Sequence, residues 1–276
     1  MKNLSREDGL KTKVNQEETA ADKPLNTIQS VRRALQLLKH VAREDAPIPL
    51  SVLVQRTGLN RTTVWRLMET LLKEGYVFRD PLSNNYVLGY SATQLSTNAH
   101  QRYRPLIRIC RPILEKIRGE TAEAALLSVP FHLEMLCVDQ IDSPQVIRLK
   151  NYVDSLSPLY CTSNGKLMLG YYADDELDRF LQQPMEKKTP NTVTEPLSLK
   201  KEIILSRQRG FGMTQCEFNT SENAISCAIE QNHQPVGFIT VSGPAYRFTL
   251  ESMLEYAPRM LELCADIQNI LNEQSK

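Results

Sequence analysis

Across 276 residues this chain has a single tryptophan, four histidines and six cysteines, and each scarcity removes a class of function. A cysteine–histidine hydrolase needs a thiolate beside a histidine. Here His40 falls in a basic N-terminal module, His100 in a polar connecting stretch, and His132 and His233 at hairpin turns. None stands in a signature with a cysteine. The sequence contains no H-E-x-x-H, no G-x-S-x-G, no phosphate-binding glycine loop and no zinc-ligand spacing. Neither catalysis nor a metal or other cofactor is therefore expected. Cys110, Cys137, Cys161, Cys216, Cys227 and Cys264 are scattered with no C-x-x-C pair, the usage of reduced, mostly buried thiols. No apolar run approaches the ~18 residues of a membrane span. The polar opening stretch over 1–26 lacks an apolar core of the export type, so it reads as a disordered tail on a cytoplasmic protein.

The net charge of +1 conceals an uneven distribution. Residues 27–80 hold nine Lys/Arg against five Asp/Glu, whereas residues 104–276 hold eighteen against twenty-two. A basic module on a mildly acidic remainder suggests a polyanionic partner. Within that module, GLNRTTVWRLMETLLKEGYV (58–77) places Val64, Leu67, Met68, Leu71 and Leu72 on one helical stripe. Asn60 suits the N-cap and Gly75 the left-handed position past the end, so a helix is predicted over 60–74. Upstream, residues 28–45 carry an apolar stripe of Ile28, Val31, Leu35, Leu38 and Val41. A short helix follows, with Ser51 as its N-cap and Leu50, Leu53 and Val54 as its buried side. Downstream, Val77–Arg79 and Tyr86–Leu88 read as strands around the turn-rich DPLSNN.

Helix, turn, helix and hairpin in this order make a winged helix-turn-helix. The second helix of such a unit presents its first turns to the major groove of DNA. Arg61, Thr62, Thr63 and Arg66 supply the guanidinium forks and hydroxyls that read base edges and phosphates. Ser51, Asn60 and Trp65 join the candidate DNA-contacting set, with Asn84 and Asn85 at the wing tip. Trp65 has two open readings, stacking on a sugar-phosphate edge or folding back over the helix start.

Beyond residue 100 helical and strand periods mix, pointing to an α/β (α+β) domain with a mostly antiparallel sheet. A linker helix is predicted over 91–104, followed by an amphipathic helix with Ile109, Ile113 and Ile117 on one side. Strands are predicted over 123–129, 133–141, 145–150, 224–230 and 236–243. Helices are predicted over 163–172, 174–182, 197–209 and 249–273.

From about residue 27 to the end, the chain resembles the IclR family of transcriptional regulators. The resemblance is carried by LSVLVQRTGLNRTTVWRLMETLLKEGYV, the wing ending NYVLG, PLYCTSNGKLML, RGFGM, the Ser226–Cys227 pair and VSGPAYRF. It implies a winged helix-turn-helix over 27–90 and a GAF-like effector-binding and oligomerisation domain over 105–276. It implies a homodimer or homotetramer that binds double-stranded operator DNA and acts as a repressor. It further implies an effector site of Ser163, Asn164, Gly165, Glu217, Cys227, Thr240 and Ser242, taking a small carboxylate. From spacing alone, the same hydroxyls would satisfy local backbone, and Ser163-Asn164-Gly165 would be a helix cap. Arg148 could neutralise an anionic ligand or be a surface strand residue. The rival functions are an architectural DNA binder without a ligand and a cysteine-dependent enzyme.

Overall fold

The computed structural model describes residues 27–273, the side chains of 96–100 excepted. The expected tail over 1–26 and the side chain of His100 lie outside the described residues. The chain divides into two compact units, the first ending at Thr97 and the second beginning at Asn98.

In the first unit, α1 (Gln29–Ala42), α2 (Leu50–Thr57) and α3 (Arg61–Lys73) precede the wing strands β1 (Val77–Arg79) and β2 (Tyr86–Leu88). Gly58 adopts φ +65°, the left-handed conformation that glycine tolerates best, and so turns the chain from α2 into α3. Asn60 caps α3, its Oδ1 accepting from the Thr63 N–H at 2.8 Å. The core joins Leu37, Val41, Leu53, Val64, Met68, Leu71, Val77 and Tyr86.

Two expectations for this unit need correction. The buried face of α1 is Leu37 and Val41, with Ala34 and Leu38 packed beside them, whereas Ile28, Val31 and Leu35 are exposed. Ser51 does not cap α2; Pro49 occupies the N-cap and Ser51 lies exposed in the first turn.

α4 (Tyr90–Gln101) runs across the division between the units. The second unit contains one six-stranded antiparallel sheet. Its strands in chain order are β3 (Ala124–Phe131), β4 (Glu134–Ile141), β5 (Leu156–Pro158), β6 (Phe211–Gln215), β7 (Glu222–Gln231) and β8 (Gln234–Pro244). Their spatial order is β5-β4-β3-β8-β7-β6. β7 and β8 form a hairpin whose Asn232 and His233 both take positive φ, as a tight two-residue turn demands.

Strand side chains alternate between faces. Ala125, Leu127, Ile225, Cys227, Ile239 and Val241 pack with α5 (Arg104–Thr121) and α9 (Leu250–Glu273) in one core. The other face meets α6 (Ser163–Leu169), α7 (Asp174–Leu181) and α8 (Pro196–Arg209) around Met135, Leu167, Phe180, Leu199 and Phe238. α5 buries Cys110, Leu114 and Ile117, so Ile109 and Ile113 flank that face rather than define it. The segment 145–150 is not a strand. Val146 and Ile147 are exposed in a loop, and the short β5 supplies the edge instead. β6 falls in the RGFGM segment, where no strand was predicted.

Candidate DNA interface and ligand cavity

The polar side of α3 is presented as its sequence suggested. Arg61, Thr62, Trp65 and Arg66 are exposed and Thr63 is half-buried. Trp65 is 49% exposed and lies outside the core cluster, so it does not fold back over the helix start as a core residue. Among the described residues, the guanidinium groups of Arg61 and Arg66 have no hydrogen-bond or ion-pair partner. Two other arginines of the unit are engaged: Arg56 pairs with Glu44 at 2.5 Å and Arg79 with Glu69 at 2.5 Å.

Arg79 also positions the wing. Its Nη2 donates to Glu69 of α3 and, at 3.1 Å, to the Tyr86 hydroxyl, tying the hairpin to the helix it flanks. At the tip, Asp80 accepts from the Ser83 N–H at 2.7 Å and the Ser83 hydroxyl at 2.6 Å. Those bonds hold the Asp80 carboxyl below its ordinary pKa. Asn84 is exposed at φ 55°, and its Oδ1 accepts from Arg79 at 3.4 Å. Asn85 sits lower and half-buried, its Nδ2 reaching the Pro47 carbonyl at 3.5 Å, so the two asparagines do not share the tip. Leu82, which the sequence reading passed over, is 97% exposed there.

In the second unit a cavity of about 580 Å³, counting its open mouth, lies between the sheet and α6. Its floor comes from alternate residues of three strands: Leu126 and Ser128 of β3, Ala224 of β7, and Thr240 and Ser242 of β8. Register explains the grouping, because Thr240 pairs with both Leu126 and Ser226, and Ser242 with both Ala124 and Ala224. Ser163 and Asn164 form the α6 wall, and Tyr152, Phe218 and Glu222 close the far side.

Four of the seven residues expected at an effector site line this cavity: Ser163, Asn164, Thr240 and Ser242. Their polar groups are already linked to neighbours. The Ser163 hydroxyl meets that of Ser226 at 2.6 Å, and Ser226 meets Thr240 at 2.7 Å. Asn164 Oδ1 accepts from the Gly165 N–H at 2.8 Å, which removes one donor from any backbone cradle. Ser242 donates to Glu222 Oε1 at 2.6 Å.

The other three lie elsewhere. Cys227 neighbours Ser226 and therefore points to the opposite face of the sheet, into the core with α9. Gly165 faces the turn Leu159–Cys161. A Cβ there would fall 2.4 Å from Leu159 Cα, so the glycine permits close packing. Glu217 is buried beside Lys166, whose Nζ donates to both its carboxylate oxygens at 2.7 and 2.6 Å. Lys166 also pairs with Glu202. Burial raises the Glu217 carboxyl above its ordinary pKa, and the lysine opposes the shift. Arg148 is exposed in the loop after β4 and does not reach the lining.

Sequence reasoning missed Tyr152, Thr214, Phe218 and Glu222. The spacing of Glu222 and Ala224, two residues apart on a strand that continues to Ser226, was the signal available for the glutamate. Around it, the Tyr152 hydroxyl donates to Glu222 Oε2 at 2.8 Å and Asn219 Nδ2 donates to the same oxygen at 2.6 Å. Burial, and then the neighbouring Glu222 carboxylate, push the Tyr152 phenol well above its usual pKa.

A winged helix-turn-helix followed by an α/β unit with an open-mouthed cavity against its sheet has the architecture of a DNA-binding transcriptional regulator. Residues 30–81 match the IclR helix-turn-helix domain, and residues 100–269 match the C-terminal domain of the bacterial transcriptional regulator IclR. The chain belongs to the IclR family of transcriptional regulators. It is 25% identical over 250 residues to the transcriptional repressor IclR of Escherichia coli strain K12, covering 87% of this chain and 89% of that one. With the regulator KipR of Bacillus subtilis it shares 28% over 233 residues, 84% of this chain and 92% of the relative. The crystal structure of Thermotoga maritima IclR superposes with a TM-score of 0.73 at 25% identity, covering 88% and 98% of the two chains. An IclR homologue from Microbacterium hydrocarbonoxydans, solved with 4-hydroxybenzoate, shares the fold at a TM-score of 0.71 and 18% identity, covering 87% and 98%. Among the described residues no helix is long and apolar enough to cross a membrane.

Proposed function

We propose that this protein is a cytoplasmic transcriptional repressor whose hold on operator DNA is set by a small molecule in the cavity beside α6. The supporting observation is the pair of exposed, unpartnered arginines, Arg61 and Arg66, on the first two turns of a capped second helix. Unpaired guanidinium groups need break no ion pair to meet guanine edges or phosphates. Thr62, Thr63 and Trp65 complete the helix surface, Asn60 fixes its start, and Ser51 lies at the start of the preceding helix. Asn84 and the apolar tip at Leu82 reach the flanking groove, while Asn85 braces the wing.

A homodimer or homotetramer carries paired winged units onto a pseudo-palindromic site. α4, with the segment around 91–104, couples effector occupancy to DNA affinity. Such coupling requires the effector to bind the DNA-bound and DNA-free states with different affinity. Its relatives are transcriptional regulators, and no catalytic role is proposed.

The test is a salt series with the duplex from the region upstream of its own gene against a scrambled duplex. Specific binding should exceed non-specific binding by ~10³ or more. Arg66→Ala and Arg61→Ala should each weaken the native duplex, and each lost phosphate contact should make the log–log salt slope shallower by about 0.9. Unchanged affinity and slope in both variants would refute the interface.

A further inference from the structure

The cavity wall is charged in a way that bears on the ligand. Glu222 is the one ionisable carboxylate in the lining, and the lining holds no lysine, arginine or histidine. Three donors converge on that carboxylate: Tyr152 and Asn219 at Oε2, and Ser242 at Oε1. Asn219 Nδ2 also donates to the Tyr152 hydroxyl at 2.7 Å, closing the cluster. Lys150 lies outside the lining, its Nζ 5.1 Å from the Tyr152 ring centre.

Apart from the Asn164 amide and the Cys137 thiol, the rest of the polar lining is hydroxyl groups, with Ser128, Ser155, Ser157, Thr162 and Thr214 adding to those already described. A hydroxyl can donate or accept by rotating. Such a wall matches a partner that also does both. An anion, by contrast, offers acceptors only, and here it would be desolvated beside a fixed negative charge with no counter-ion.

We infer that the effector cavity, if it serves as proposed above, takes an uncharged, hydroxyl-rich small molecule of the sugar or polyol class and discriminates against carboxylates. This departs from the small acid that the family resemblance implied. Glu222 is the residue that determines the discrimination. Like charges ~5 Å apart at an effective dielectric near 20 disfavour the anion by on the order of a hundredfold.

The experiment uses matched pairs that differ by one carboxylate, such as sorbitol and gluconate or erythritol and erythronate. Calorimetric binding to the full-length protein is measured for wild type and for Glu222→Gln, whose amide keeps the shape and removes the charge. The expected result is binding of the neutral member, with its acid weaker by about a hundredfold, and a narrowing of that gap in Glu222→Gln. A carboxylate binding wild type as tightly as its neutral partner would overturn the inference, as would a gap that Glu222→Gln leaves unchanged. A deproteinised cell extract, which contains small molecules of every charge, tests the effector reading separately. Release of the duplex by extract, with no response to any neutral polyol, overturns the ligand class and leaves the effector reading standing. No release by either overturns both.

Discussion

Replacing Lys166 by methionine tests the buried ion pair that anchors the α6 wall of the cavity. Lys166 has no exposed side-chain surface, and its two partners differ: the Glu217 side chain is 9% exposed and that of Glu202 is 43%. Methionine fills comparable volume but leaves the Glu217 carboxylate buried without a cation. Breaking a buried pair in this way costs about 3–5 kcal/mol, nearly all of it from Glu217, since Glu202 can turn to water. The deficit should depend on pH. Burial already raises the Glu217 carboxyl, and loss of the lysine that opposes the shift raises it further. A carboxyl whose folded pKa exceeds its unfolded one binds its proton more tightly when folded. Stability therefore falls as pH rises through that interval, and the penalty fades below it. Urea denaturation of Lys166→Met should show a larger loss at pH 8 than at pH 5. Far-UV circular dichroism follows both units, while fluorescence of the single tryptophan, Trp65, follows the first unit and should barely change. Adding Glu217→Leu should recover much of the loss, because an apolar replacement of the whole pair is often neutral or better. A deficit under about 1 kcal/mol at pH 8, or one equal at both pH values, would refute the reasoning.

Two other expectations follow from the packing. Leu37→Ala should destabilise the first unit by about 2–5 kcal/mol, whereas Leu35→Ala, on the exposed side of the same helix, should stay within about 0.5 kcal/mol. Urea titration followed by Trp65 fluorescence separates them, and equal losses would mean that α1 packs in the other phase. Cys216 is the half-buried cysteine, while the other five are buried. Burial pushes the Cys110, Cys137 and Cys161 thiols up to about 12. In the native protein a thiol-reactive disulfide reagent should therefore label Cys216 first. Rapid loss of several thiols, or a Cys216→Ser variant labelled just as fast, would contradict this.

The winged module was legible because its signals are local. A capping asparagine, glycines that take positive φ, a one-sided stripe and two short runs around turn formers each need only their neighbours in sequence. The hairpin of β7 and β8 and most of the second unit's helices were readable for the same reason. The phase of α1 was not. Leu35, Leu37 and Leu38 offer overlapping stripes, and packing against α3 and the wing selects the one that contains Leu37. The 145–150 segment has strand-like composition, yet the pairing edge beside β4 goes to β5.

The candidate site divides in the same way. Family motifs pointed to Ser163, Asn164, Thr240 and Ser242, and strand alternation with the α6 packing gathers these four around one cavity. Alternation also carries Cys227 to the opposite face, one residue from a hydroxyl that faces the α6 side. By itself, then, the sequence determined a basic winged helix-turn-helix followed by an α/β domain, because periodicity, caps and turns act over a few residues. Which side chains meet across the sheet, which carboxylate pairs with Lys166 and which one enters the cavity wall were decided by the tertiary structure. Those choices depend on strand register and burial between segments dozens of residues apart, and no local pattern encodes them.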